Sequence, residues 1–168
     1  MADKYIALVS GAQTEVEGTV TGGTAGQAGD IPALDGSGRL DPTLMPVGVM
    51  ADTYSGTAFE ALSAANPFVH IKSDGTVANA SASSGGNPAI GFVLTNVASV
   101  GIALVYFEGR VTGLSGLTVG ARYYLSDSVP GGTTAMPVSG TGKLHQYLGR
   151  AVTETTIAFE ADDHIVRA

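Results

Sequence analysis

Short apolar runs, each followed by a turn signal, recur through residues 68–160 and restrict the chain to β-structure. The run FVHIKS (68–73) alternates apolar and polar residues and ends at Asp74-Gly75, a dipeptide typical of β-hairpin turns. Further runs follow at intervals of about 8 to 12 residues: TVANASA, AIGFVLTNVA (89–98), VGIALVYFEG (100–109), ARYYLSDS (121–128), KLHQYLGRAVTE (143–154) and TTIAFEAD (155–162). This spacing predicts an all-β fold, a small antiparallel β-sandwich or barrel. No helical pattern separates the later runs, so a parallel sheet is not expected.

Composition narrows the classes of partner. The chain carries eight Lys and Arg against 15 Asp and Glu, a formal net charge of −7. Binding to a phosphate backbone depends on basic residues that displace counterions, so we expect no nucleic-acid partner. There is no cysteine to form disulfides or thiolate metal sites. No run approaches the roughly 18 apolar residues of a membrane span, and the N-terminus lacks the apolar region of a signal peptide, so no membrane association is expected.

The character of the sequence changes near residue 50. Residues 1–49 are rich in glycine and poor in apolar residues, which predicts an extended N-terminal attachment arm. The segment from residue 11 to residue 48 is expected to be extended or poorly ordered, with one short strand ahead of it at KYIALV (4–9). Residues 50–168 are expected to form the β-sandwich or barrel domain.

Two local patterns add detail to the second domain. The segment TAFEALSAA (57–65) places Phe59, Leu62 and Ala65 at helical spacing ahead of a proline, which predicts one short helix. Gly149, within QYLGRAV, is where a β-bulge or a close backbone approach is expected. Six aromatic residues of the later strands are expected to pack in the core, with hydroxyl groups at its rim: Tyr106, Phe107, Tyr123, Tyr124, Tyr147 and Phe159.

Candidate chemical motifs are incomplete. In DGSGRLD (35–41) Arg39 occupies an alternate position where a calcium ligand is required, and no glutamate follows at the bidentate position. The glycine-rich GGTAGQAG (22–29) lacks the lysine of a phosphate-binding loop. His70, His145 and His164 lie far apart in sequence, and no nucleophile elbow occurs. We therefore predict no catalytic, metal-binding or cofactor-binding residues, although a glycosidase-type carboxylate pair, which meets only in space, stays open.

The later part of the chain resembles a β-module that recurs in virion proteins of tailed bacteriophages. The pattern consists of GFV (91–93), GLSGLTVGARYYLS (113–126), a Pro-Gly loop, QYLGRA (146–151) and a closing strand that ends in FE. The preceding IPALDGSGRLDPTLMP (31–46) is similar to a linker that joins virion-attachment regions to such modules. That linker occurs in head decoration (capsid cement) proteins and in tail fibres.

The resemblance implies a structural virion protein without enzymatic activity. It implies a decoration protein that binds the outside of the phage head through its N-terminal arm and stabilises the shell. The implied partner is the major capsid protein, and homotrimers on the capsid surface, assembled in the host cytoplasm, are expected. Prolines and glycines deny the linker a regular helix or strand, so we expect its apolar residues to make capsid or inter-subunit contacts: Ile31, Leu34, Leu40, Leu44 and Met45.

Two other functions remain open. A tail-fibre or receptor-binding module of a phage tail would share the linker and the β-module, but the chain contains no heptad or triple-helical repeat for a shaft. A small glycan-processing enzyme would need carboxylates gathered in a cleft.

Overall fold

The computed structural model describes residues 4–22, 30–45, 52–160 and 163–168, and the chain divides into two compact units, Met1–Met50 and Ala51–Ala168. Both units consist of β-strands and loops, and all pairs of named strands are antiparallel. Among the described residues the helical element is a 3-10 turn at Pro42–Leu44. None of their helices has the length and hydropathy of a membrane span. The expected all-β class is confirmed.

The first unit begins with a β-hairpin of β1 (Lys4–Val9) and β2 (Ala12–Glu17). Its central turn residues, Ser10 and Gly11, have φ angles of 52° and 82°. Positive φ at both positions is the geometry of a type I′ turn, whose twist matches that of the strands it joins. The strand at KYIALV is therefore confirmed. The segment after residue 11 is extended in β2, as expected, but it forms the second strand of a hairpin and not a free arm, because the tight turn brings it back onto β1.

The second unit contains two five-stranded antiparallel sheets. The first sheet has the order β3-β7-β6-β4-β5, with strands β3 (Thr53–Thr57), β4 (Phe68–Ile71), β5 (Val77–Asn79), β6 (Gly91–Phe92) and β7 (Ile102–Tyr106). The second sheet contains β8 (Gly109–Val111), β9 (Arg122–Leu125), β10 (Thr133–Thr134), β12 (Tyr147–Thr153) and β13 (Thr156–Phe159), in the order β10-β9-β12-β13-β8. A small separate pair joins β11 (Leu144–His145) to β14 (Ile165–Val166). The described strands do not close into a barrel, and the arrangement is consistent with a β-sandwich.

The main core lies between the two five-stranded sheets. Three phenylalanine rings meet there: Phe159 of the second sheet lies 5.7 Å from Phe68 and 5.4 Å from Phe92 of the first, measured between ring centroids. Alternate residues of the first sheet, such as Val69 beside Phe68, point to the opposite face and form a second apolar cluster. The strands β4, β5 and β6 are therefore buried on both faces, whereas β7 keeps Ile102 and Leu104 exposed on one face.

The helix expected at residues 57–65 is not present. Ala58, Phe59 and Leu62 donate their backbone N–H groups to the carbonyl oxygens of Gly101, Val77 and Val97, at 2.8 Å in each case. Ala58 and Leu62 are buried in the second cluster, whereas Phe59 is exposed. The segment covers one face of the first sheet in an irregular, sheet-like conformation, because distant strands supply the hydrogen-bond partners that a helix would supply locally.

The second sheet tests two expectations, the bulge at Gly149 and the burial of the aromatic residues. The bulge at Gly149 is confirmed: the pairing of β12 with β9 shifts between Tyr147 and Gly149. The core assignment of the aromatic residues is correct for Tyr123 and Phe159, which are buried. It is wrong for Tyr124 and Tyr147, which lie half-buried on the face of the sheet opposite the core, because the side chains of a strand alternate between its two faces.

Candidate functional site

The predicted contact residues lie in the first unit, on a segment that is structured. Ile31, Leu34 and Leu40 are exposed, with 51%, 53% and 38% of their surface accessible. Leu44 and Met45 are half-buried and lie at and after the 3-10 turn. Leu34 and Leu40 are partners in an isolated antiparallel bridge. The structure therefore brings these two leucines together at the base of a short loop.

Asp35 holds this loop closed. One carboxylate oxygen, Oδ1, accepts hydrogen bonds from the backbone N–H groups of Ser37, at 2.8 Å, and Arg39, at 3.0 Å. The backbone N–H of Asp35 donates to the carbonyl oxygen of Arg39 at 2.7 Å. The aspartate thus stabilises its own turn, which is a common use of this residue in loops. Across the described residues, no group of three or more His, Asp or Glu side chains is arranged to hold a metal ion.

Thr43 fixes the chain immediately after the loop. Its hydroxyl donates to Oδ1 of Asp41 at 2.5 Å and accepts the backbone N–H of Gly22 at 2.9 Å. The hydrogen bonds from the side chain and backbone of Thr43 lower the pKa of the Asp41 carboxyl, because they favour its charged form. The position of Leu44 and Met45 is set by this pair of contacts.

A groove of about 230 Å³ separates the hairpin from the linker segment. Thr19, just after the hairpin, holds the linker segment beside it through two backbone hydrogen bonds. Its N–H donates to the carbonyl oxygen of Ile31 at 3.0 Å, and its carbonyl oxygen accepts the N–H of Ala33 at 2.9 Å. Ile31 and Leu34 lie along the groove with Tyr5 of β1. The first unit therefore presents apolar side chains from an ordered backbone.

The hairpin adds apolar residues that were not among the predicted contacts. Ile6 and Leu8 lie on the same face of β1 and are 67% and 73% exposed. A salt bridge of 3.3 Å between Lys4 and Glu15 lies on the same hairpin face. The signal in the sequence was Ser10-Gly11 between two alternating runs, which is a hairpin pattern.

The second unit contains a depression of about 600 Å³ near the end of β13. Its lining includes Glu108, Glu160, Asp163 and His164, all of which are exposed.

No known protein family matches the sequence, and no curated protein is detectably similar to it.

Proposed function

We propose that this protein is a structural component of a tailed-bacteriophage virion, a decoration protein that attaches to the outside of the head through its first unit. The observation that carries the proposal is the exposure of Ile31, Leu34 and Leu40 on a backbone held in place by Asp35, Thr19 and their hydrogen bonds. The similarity of this segment to virion-attachment linkers, and of residues 91–160 to the phage β-module, supports the same function.

The distribution of buried residues supports an attachment role for the first unit. Ala33 is the only buried hydrophobic residue among those described in this unit, and the others described belong to the second unit. A unit of this size without a core gains little stability from its own packing. Burial of its apolar side chains on a partner supplies what is missing.

The ordered loop reduces the cost of binding. Ordering a flexible arm costs about 1 to 2 kcal/mol per residue in backbone entropy. Here the turn between Leu34 and Leu40 is already closed by hydrogen bonds, so a smaller part of that cost remains to be met on binding. Complete burial of a leucine or isoleucine side chain contributes about 1.5 to 3 kcal/mol, and half-exposed side chains contribute about half of this. Three such residues supply roughly 3 kcal/mol.

Homotrimers are part of the proposal. Three linked attachment units that reach the shell together bind with an avidity roughly two to four decades above that of one unit. The second unit, taken as a β-sandwich, then projects from the shell as an inert knob. Light scattering of the purified protein measures the mass directly. A stable monomer at micromolar concentration would exclude the trimer.

Attachment is tested by cosedimentation of the full-length protein with phage heads assembled without it and composed of the major capsid protein. A variant with Ile31→Ser, Leu34→Ser and Leu40→Ser is expected to bind roughly 100-fold more weakly. The control is Val100→Ser with Ile102→Ser, since these apolar residues are also exposed but lie on the second unit. Wild-type binding by the triple variant would refute the attachment role, and immunogold label at the tail alone would favour the fibre function instead.

A further inference from the structure

Three arginines lie in one row across the face of the second sheet that points away from the core. Arg122 of β9 pairs with Arg150 of β12, Arg150 pairs with Ala158 of β13, and Ala158 pairs with Arg110 of β8. All three arginines are exposed. They account for three of only eight basic residues in a chain of net charge −7. Three of the chain's cationic side chains therefore share this face.

The pairing of Arg122 with Arg150 is unfavourable for the sheet alone. Like charges directly opposite each other on antiparallel strands are destabilising. Among the described residues, no carboxylate lies within 4.0 Å of the guanidinium groups of these two residues or of Arg110. Arg150 donates through Nη1 to the carbonyl oxygen of Gly120 at 3.0 Å. A guanidinium has five N–H donors, so this bond leaves capacity for an anion.

A pair of tyrosines adjoins the arginine pair. Tyr124 and Tyr147 are also cross-strand partners, with ring centroids 6.0 Å apart and planes at 65°. The Tyr124 ring lies 5.2 Å from His145, and the Arg122 guanidinium lies 5.8 Å from the Tyr147 ring. Half-buried tyrosines on an exposed sheet face offer flat apolar surfaces with polar edges.

The bulge at Gly149 is what aligns the two pairs. Tyr147 and Arg150 are three residues apart, so in a regular strand their side chains would point to opposite faces. The extra residue at the bulge returns Arg150 to the face that carries Tyr147. The same face therefore carries two tyrosines beside two arginines.

We propose that this face binds a carboxylated sugar of an acidic polysaccharide. The depression here has a volume of about 330 Å³ and is lined by Arg122, Tyr124, His145, Tyr147, Arg150 and Glu160. The arginine pair receives the sugar carboxylate through charge-assisted hydrogen bonds, and a tyrosine ring packs against the sugar ring. Glu160 accepts hydrogen bonds from sugar hydroxyls.

Two features favour an acidic polysaccharide over other anions. The carboxylate of Glu160 and the net charge of −7 repel any polyanion, and they repel a duplex phosphate backbone, with one charge per about 1.7 Å, more strongly than a polysaccharide with one carboxylate per sugar. Arg110 lies two strands beyond Arg150, which is about 10 Å across the sheet. The row therefore suits successive acidic units of a chain. This site is separate from the proposed attachment residues, which lie in the first unit.

Titration calorimetry of the full-length protein tests the proposal with oligomers of galacturonic acid, mannuronic acid and sialic acid. At least one of these oligomers is expected to bind saturably. Its methyl ester keeps the sugar but loses the charge, so the ester is expected to bind at least about tenfold more weakly. Arg122→Gln with Arg150→Gln is expected to weaken binding by about 10- to 100-fold, and Arg39→Gln, on the first unit, to leave it unchanged.

Thermal unfolding at low salt separates loss of the site from loss of the fold. The double glutamine variant is expected to unfold at the same temperature as the wild type or higher, because the like-charge pair is removed. If it fails to fold, Arg122→Lys, which keeps the cation but not the planar fork, is expected to weaken binding several-fold. Absence of binding to all three acids, equal binding of the esters, or tighter binding of a single-stranded oligonucleotide would overturn the proposal.

Discussion

Gln146 and Ala89 join through two reciprocal hydrogen bonds in the interior of the second unit. The backbone N–H of Ala89 donates to Oε1 of Gln146 at 2.7 Å, and Nε2 of Gln146 donates to the carbonyl oxygen of Ala89 at 2.8 Å. Both residues are buried. A single side chain thus satisfies the two backbone polar groups of an irregular segment that has no strand partner at this point.

Replacement of Gln146 by alanine is expected to lower the free energy of unfolding by about 2 to 4 kcal/mol. The change leaves a buried N–H and a buried carbonyl of Ala89 without their partner, and each such group costs about 1 to 3 kcal/mol. Urea unfolding measures the difference. Asn87→Ala is the control, because Asn87 is an exposed amide two residues from Ala89 and its substitution should change little. A loss under about 0.5 kcal/mol for Gln146→Ala would contradict the assignment.

Gly149→Ala is expected to destabilise the second unit by about 3 to 5 kcal/mol. The φ angle of Gly149 is 148°, and an added Cβ would lie 1.9 Å from the carbonyl oxygen of Ala158. The two causes of the loss are the backbone strain at positive φ and the steric overlap of the added Cβ. Gly120→Ala separates them, since Gly120 also has a positive φ but no atom within 4 Å of the Cβ position. Its substitution is expected to cost only about 1 to 2 kcal/mol. Equal losses for the two variants, measured by chemical denaturation, would show that the close approach is unimportant.

His70 is expected to make the second unit less stable at mildly acidic pH. Burial lowers the pKa of His70 below its ordinary value of 6.5. A backbone hydrogen bond at Asn79 and the charge of Glu60 raise the pKa and oppose this effect, whereas the charge of Lys72 lowers it further. Its Nδ1 atom is buried without a hydrogen-bond partner. Below pH 6.5 the unfolded chain binds the proton more readily than the folded chain.

The contribution of His70 to stability is therefore complete above pH 6.5 and declines as the pH falls towards the lower folded pKa. Thermal unfolding between pH 5 and pH 8 is expected to show a decline below about pH 6.5 that is smaller in His70→Asn. His164→Asn provides the control, because His164 is exposed. An identical pH profile for His70→Asn and the wild type would rule out His70 as the source.

Deletion of residues 1–49 is expected to leave a folded second unit that no longer binds phage heads. The core clusters lie within residues 58–159, so they are retained in the truncated chain. Circular dichroism during heating is expected to give a cooperative transition close to that of the full chain. Full binding of the truncated protein to heads would refute attachment through the first unit.

The strands that the sequence predicts well are those with local signals. The turn at Asp74-Gly75 joins β4 to β5, with Gly75 at a φ of 81°, and the bulge falls at Gly149. In both cases the backbone has a positive φ that glycine adopts at little cost. A glycine at such a place in the sequence therefore indicates a turn or a bulge.

Other elements depend on partners that are distant in sequence. Leu62 bonds to Val97, thirty-five positions later, and this tertiary pairing overrides the helical spacing around it. Only the dipeptide Ser10-Gly11 indicates the hairpin of β1 and β2, while the glycine-rich segment that follows favours an irregular conformation. The arginine row was not predictable, because residues 110, 122 and 150 become neighbours only through strand register and a bulge.

The most direct test of the proposed attachment is a cryo-electron microscopy reconstruction of the virion that carries this protein. We expect knobs of density at many symmetry-related positions on the shell, with the segment that contains Ile31, Leu34 and Leu40 against the major capsid protein. A shell without such density, or density confined to the tail, would contradict the decoration function.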